Sequence, residues 1–196
     1  WTFGDVHGYQ DTVILPGGTF TYEPFHWRTF WFVKIKVSAG DEPFVLKDAR
    51  YRCTTYPQTL QAAFESAIPD TERMWKTSLP SLHLCAHETY EDCPYYEQLQ
   101  YVGDTRIQAL ISYTEAGDDR LARNSIELFN SSRTSEGITQ SRYPSITPQF
   151  IPTYSLYFVS MLHDFYRYRD DVEFVKRFLP GTRSILDWYA GQTGGD

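Results

Sequence analysis

Five carboxylates fall within the eighteen residues from His87 to Asp104: Glu88, Glu91, Asp92, Glu97 and Asp104. Tyr90, Tyr95, Tyr96 and Tyr101 are interleaved with them. Such a group could do acid–base chemistry. Cleaving a glycosidic bond needs one carboxylic acid kept protonated near neutral pH. It also needs a second carboxylate, for water or for nucleophilic attack. Neighbouring negative charge and low-dielectric walls raise the pKa of the acid. Asp92, Glu97 and Asp104 could supply the carboxyl groups, with Tyr95, Tyr96 and Tyr101 as walls. Spacing alone does not separate this from a solvated loop whose acids serve as caps. Pro94 and Gly103 imply an irregular connection between two helices, a usual place for a site.

Other reactive residues are weaker candidates. His83 and His87 lie four apart, a spacing that could hold a metal on a helix. No third ligand is evident and Pro80 disturbs the stretch, so no metal is expected. No cofactor is expected either. His87 and Glu88 could border a pocket, but a structural role fits them better. Cys93 has no Cys-His-Asn arrangement around it and reads as a packing residue. Together with Cys53 and Cys85 it makes three cysteines, too few and too odd for a disulfide framework. Buried free thiols are the expectation. Arg142 and Tyr143 could reach a substrate; the alternative is a loop anchored by Tyr143 and Pro144.

The elements that must position these residues change character along the chain. Trp31, Val33, Ile35 and Val37 fall on one face and Lys34 and Lys36 on the other, the period of a half-buried strand over residues 29–37. Gly17-Gly18 and Gly40-Asp41 supply turns, and residues 44–50 could be a further strand. After about residue 58 the period becomes helical. Residues 59–64 start a helical stretch. Asp70 could cap the next, running to about Glu88 with a kink or break at Pro80. Residues 105–115 read as a helix stopped by Gly117. Asp118 could cap a helix lined by Ala122, Ile126 and Phe129. Tyr154, Phe158, Met161 or Leu162, and Phe165 form another apolar stripe, which reads as core. Asp171 caps a last segment, with Pro180 opening a separate helix that ends near Gly191.

Strands before helices argue for two domains rather than an alternating fold. The boundary falls near Tyr56-Pro57. The chain has 196 residues, enough for one ordinary domain or two small ones. Its 41% hydrophobic and 22% charged content is that of a soluble globular protein. A net charge of −7 argues against nucleic acid and gives no reason to expect an anionic membrane. No apolar run is long enough to span a bilayer. No signal peptide is visible, and a chain beginning with Trp1 reads as starting mid-protein. Aromatics reach 17%, enough to line a carbohydrate site, though most should fill the core.

The run Asp92-Cys93-Pro94-Tyr95-Tyr96-Glu97, followed by Gly103-Asp104, resembles a signature of bacterial α-L-rhamnosidases, glycoside hydrolase family 78. The segments Pro24–Phe30, Ser141–Ser145 and Ile151–Leu156 resemble further parts of that family. The resemblance implies the end of a β-sandwich over residues 1–57. It implies the opening helices of an (α/α)6 catalytic barrel over 58–196. It implies hydrolysis of terminal α-L-rhamnosides with inversion, a carbohydrate partner, and a periplasmic or secreted location. Glu97 would be the general acid. Asp92 and Asp104 would bind sugar hydroxyls and tune it, Tyr101 would be an aromatic wall, and Arg142 a substrate contact. Tyr96 stands where many members have Arg, and Gln100-Tyr101 where many have Gly-Trp. The family's general base lies far downstream, so the chain is expected to be an inactive fragment by itself. A catalytically silent sugar-binding relative and an (α/α)6 hydrolase for another sugar are the alternatives.

Overall fold

The structure, a computed structural model, describes residues 7–193; Trp1 and the terminal Gly194-Gly195-Asp196 lie outside them. The chain divides into two units, Trp1–Thr54 and Thr55–Asp196.

The expected β-sandwich is not there. No strand forms among the described residues, and the fold class is all-helical rather than β followed by an (α/α)6 barrel. The alternation over residues 29–37 is present in the sequence, but alternation only sorts side chains onto two faces. A strand also needs a neighbour for its amides and an apolar surface for its face. Here Trp31, Val33, Ile35 and Val37 remain 90%, 64%, 57% and 46% exposed. The first unit is instead an irregular chain with local polar and ring contacts. Arg28 pairs with Asp11 at 2.9 Å and lies over the Tyr9 ring. Phe30 and Tyr51 meet edge to face. Cys53, expected to be buried, is exposed here, because the described residues of this unit form no core to receive it.

The second unit carries six helices among the described residues: α1 Thr71–Leu84, α2 Val102–Glu115, α3 Arg120–Ser131, α4 Pro152–Tyr168, α5 Val172–Lys176 and α6 Leu179–Thr193. Residues 59–64 are not helical. The amides of Gln61 and Ala62 both donate to the Glu115 carbonyl, so the end of α2 takes bonds that a local helix would have used. Helix α1 contains Pro80 without breaking, and it stops at Leu84 rather than near Glu88. It buries only Leu82, so α1 leans on the rest rather than building it. Asp70 precedes it with φ 68° and no side-chain cap; its carboxylate pairs with Arg73 instead.

The remaining helices begin and end on local chemistry. Gly117, at φ +66°, ends α2 in the left-handed region that favours glycine. The Asp118 carboxylate accepts the Arg120 amide and opens α3. Pro152 occupies the first turn of α4, where no amide is needed. Asp171 accepts the Phe174 amide at 3.0 Å and caps α5.

Helix α4 is the centre, touching α2, α3, α5 and α6. Its stripe of Phe158, Met161, Leu162 and Phe165 is fully buried. Ala109 and Tyr113 of α2, Ile126 and Phe129 of α3, and Ile185 of α6 close over it. Each such side chain contributes roughly 1.5–3 kcal/mol when fully buried. Arg123 of α3 ties the far end together: it binds Asp119 and Asp171 and lies over the Phe165 and Phe174 rings.

Candidate active site

The acidic segment is an irregular loop between α1 and α2, as the Pro94 and Gly103 spacing suggested. Two short pairings hold it. Ala86 and Tyr90 bridge at its start, and Tyr101 bridges to Arg142 at its end. Inside the loop the Asp92 amide donates to the Leu99 carbonyl at 2.9 Å and the Gln98 amide to Cys93 at 3.1 Å. The Cys93 sulfur accepts the Glu97 amide at 3.4 Å, so this thiol folds the turn.

Glu97, Tyr101 and Arg142 come into direct contact. The Tyr101 hydroxyl donates to Glu97 Oε2 at 2.6 Å. Arg142 Nη1 donates to the Tyr101 oxygen at 3.3 Å and lies 3.8 Å from Glu97 Oε2. The Arg142 Nε is buried and has no hydrogen-bond partner. Burial and the bond to Glu97 hold the Tyr101 phenol above its ordinary range.

Asp92 lies near Glu97 and half buried. Burial pushes its carboxyl upward and the charge of Glu97 adds to this, against the Cys93 and Leu99 amides that favour the carboxylate. Its Oδ1 is buried without a partner. Asp104 sits in the first turn of α2, and its carboxylate makes no hydrogen bond or ion pair among the described residues. Its charge faces Tyr154 of α4, raising that phenol after burial has done so. Tyr154 in turn meets Tyr101 edge to face at 6.3 Å and Tyr157 at 5.5 Å. Asp104 therefore joins the group through an aromatic wall.

Two residues of this arrangement had no signal in the sequence. Tyr154 reads as the start of a core stripe, yet it stands beside Tyr101. Gln100 reads as a departure from a motif, yet it is wholly buried. Its amide donates to the Tyr143 carbonyl at 2.7 Å and accepts from the Ser125 hydroxyl at 2.8 Å.

Glu91, next to Asp92, is buried against His87, with 3.0 Å between His87 Nδ1 and Glu91 Oε1. Burial, then the charges of Glu88 and Asp92, push its carboxyl up to about 7. Its carbonyl accepts the Gln108 amide of α2, so it braces the floor of the loop. No group of three or more His, Cys, Asp or Glu close enough to hold a metal occurs among the described residues. No described helix is long and apolar enough to cross a membrane.

Residues 60–196 match the family described as the bacterial α-L-rhamnosidase six-hairpin glycosidase domain. The chain belongs to this family. Two solved structures are similar to this rhamnosidase-family chain. The family 78 rhamnosidase of Bacillus sp. GL1 has a TM-score of 0.65 at 26% identity, over 69% of this chain and 14% of that one. A rhamnosidase from Klebsiella oxytoca, solved with rhamnose bound, has a TM-score of 0.62 at 22% identity, over 66% of this chain and 26% of its own. The second likeness is one of fold alone. The chain thus spans 14% and 26% of the lengths of the two rhamnosidases. No curated protein matches it.

Proposed function

We propose that this chain carries the acid-donating part of a glycoside hydrolase acting on terminal α-L-rhamnosides. Glu97 is the general acid, and Asp92 and Asp104 bind sugar hydroxyls. The observation that carries the reading is the contact of Glu97, Tyr101 and Arg142 at the end of the loop, inside a domain of the rhamnosidase family. Rhamnose is neutral and carries a ring of hydroxyls. Asp92 and Asp104 carry acceptors for such a ring, and the Arg142 guanidinium beside Glu97 carries donors. Tyr101 and Tyr154 offer aromatic faces to its C–H surface.

Inversion requires a second carboxylate that activates water on the opposite face of the sugar. The present residues supply the acid and the binding groups. The domain identities follow the same reading: residues 58–196 belong to the catalytic domain.

The test is Glu97→Gln in the full-length protein. Hydrolysis of an alkyl α-L-rhamnoside should stop while folding is retained, and the wild-type product should appear first as the inverted anomer by proton NMR. Unchanged turnover of the variant would sink the assignment of Glu97, and a retained anomer the inverting mechanism.

One observation favours a second arrangement of roles. Burial pushes the Asp92 carboxyl upward, so it could hold the proton while Glu97 binds sugar. Selective loss of activity toward poor leaving groups identifies which of the two donates the proton.

A further inference from the structure

We propose that Gln100 is a positioning residue for this site: its buried amide clamps the loop carrying Glu97 to the segment carrying Arg142. The proposal rests on the reading of Glu97, Tyr101 and Arg142 as one site.

Gln100 and Tyr143 are the neighbours in sequence of Tyr101 and Arg142, the two residues that reach Glu97. The Tyr143 amide donates to the Gln100 carbonyl at 3.3 Å, and the Val102 amide donates to the Ser141 carbonyl at 3.0 Å. These bonds flank the Tyr101–Arg142 bridge on both sides. Two backbone bonds, one of them from the first residue of α2, are a weak tether. The Gln100 side chain adds the tie to the Tyr143 carbonyl at 2.7 Å.

The same side chain fixes the bridge to the helical core. Its Oε1 accepts from Ser125 Oγ of α3. Ser125 is fully buried beside Ile126 and Ala122, so the anchor is a rigid helix rather than another loop. The Ser125 hydroxyl also lies 2.8 Å from the Leu121 carbonyl and shares its proton between the two acceptors.

The residue type follows from this geometry. The position is wholly buried and needs a donor toward Tyr143 and an acceptor toward Ser125, on a side chain of this length. A neutral amide supplies both. Leucine fills the volume but leaves the Tyr143 carbonyl without that partner. Glutamate keeps the acceptor, loses the donor, and buries a charge against a carbonyl. A slackened clamp would let Arg142 and Tyr101 drift from Glu97 without removing either. Small misplacements of a positioned group are costly in rate.

The experiment uses the full-length protein and two readouts. The first is a mutant cycle on kcat/KM for an aryl α-L-rhamnoside. Gln100→Leu should lower kcat/KM about tenfold, the scale of one lost hydrogen bond. The same substitution should cost less than about twofold where Tyr101→Phe and Arg142→Ala are already present, because the groups it positions are gone. Equal losses in both backgrounds would overturn the proposal. The second readout is titration of the Tyr101 phenol by carbon NMR. In Gln100→Leu it should move from the wild-type value, because the contact with Glu97 that raises it and the contact with Arg142 that lowers it both loosen. Ser125→Ala, which releases only the helix end of the clamp, should shift it the same way by less. An unchanged Tyr101 titration in both variants also overturns the proposal. A wild-type protein that cleaves no rhamnoside counts against the proposed function, and the Tyr101 titration then decides the clamp alone.

Discussion

The Tyr101 hydroxyl donates a 2.6 Å hydrogen bond to Glu97 Oε2, from a residue pinned by its bridge to Arg142. A flexible loop acid is thereby held at a fixed point. Removing this one hydroxyl should loosen Glu97 and spare the fold. Tyr101→Phe in the full-length protein should reduce kcat/KM roughly ten- to a hundredfold, since the bond strengthens as the acid gives up its proton and hydrogen bonds to charged groups are worth about 1.5–3 kcal/mol. Its melting temperature should stay within a few degrees. Steady-state kinetics and calorimetry check both parts.

Glu91 gives a prediction for stability and pH. Its folded carboxyl is raised from 4.5 to about 7. A raised acid stabilises the fold fully below the unfolded pKa, and that contribution is lost as pH rises through the folded value. The window is therefore about pH 4.5 to 7. Glu91→Gln carries no such penalty. Between pH 5 and pH 8 the variant should gain on the wild type by on the order of 2 kcal/mol. Urea unfolding at the two pH values measures this. A gap that does not change with pH contradicts it.

Gly137 is constrained twice. Its φ is +111°, and a Cβ there would lie 2.8 Å from the Ser184 carbonyl oxygen of α6. Backbone cannot yield as a flexible side chain can. Gly137→Ala should destabilise the helical unit by roughly 2 kcal/mol or more, combining backbone strain with overpacking. Thermal unfolding of the two proteins checks it.

Phe158 of α4 is fully buried and central to the packing of α2, α3 and α6. Phe158→Ala should cost about 3–5 kcal/mol, the range for a large aromatic removed from a closed core. Denaturant unfolding measures that loss directly.

Much of the helical unit was legible because its signals are local. The stripe Phe158, Met161, Leu162 and Phe165, the Gly117 stop and the Asp171 cap each act within a few residues, and all three form as read. The residues 29–37 failed for the opposite reason. Their alternation is a local fact, but a strand depends on a partner that the local sequence does not contain. Residues 59–64 failed likewise, since the Glu115 carbonyl, more than fifty residues away, takes the amides of Gln61 and Ala62. The acidic loop was legible through its motif, which brings Glu97 and Tyr101 together on one short segment. Gln100, Ser125 and Tyr154 were not, because their part in the arrangement comes from contacts across the fold. A buried glutamine leaves no periodic trace.

In the proposed reaction Glu97 donates the proton to the departing sugar oxygen. The most direct measurement compares two α-L-rhamnosides in the full-length protein, one with a dinitrophenol leaving group and one with a simple alkyl alcohol. A dinitrophenolate needs little protonation to depart, whereas an alkoxide needs it fully. Glu97→Gln should lose about 10²–10⁴-fold in kcat on the alkyl rhamnoside, the scale of general acid catalysis, and less than about tenfold on the dinitrophenyl one. Equal losses on both substrates would contradict the claim. So would a selective loss shown by Asp92→Asn and not by Glu97→Gln, which would move the proton to Asp92.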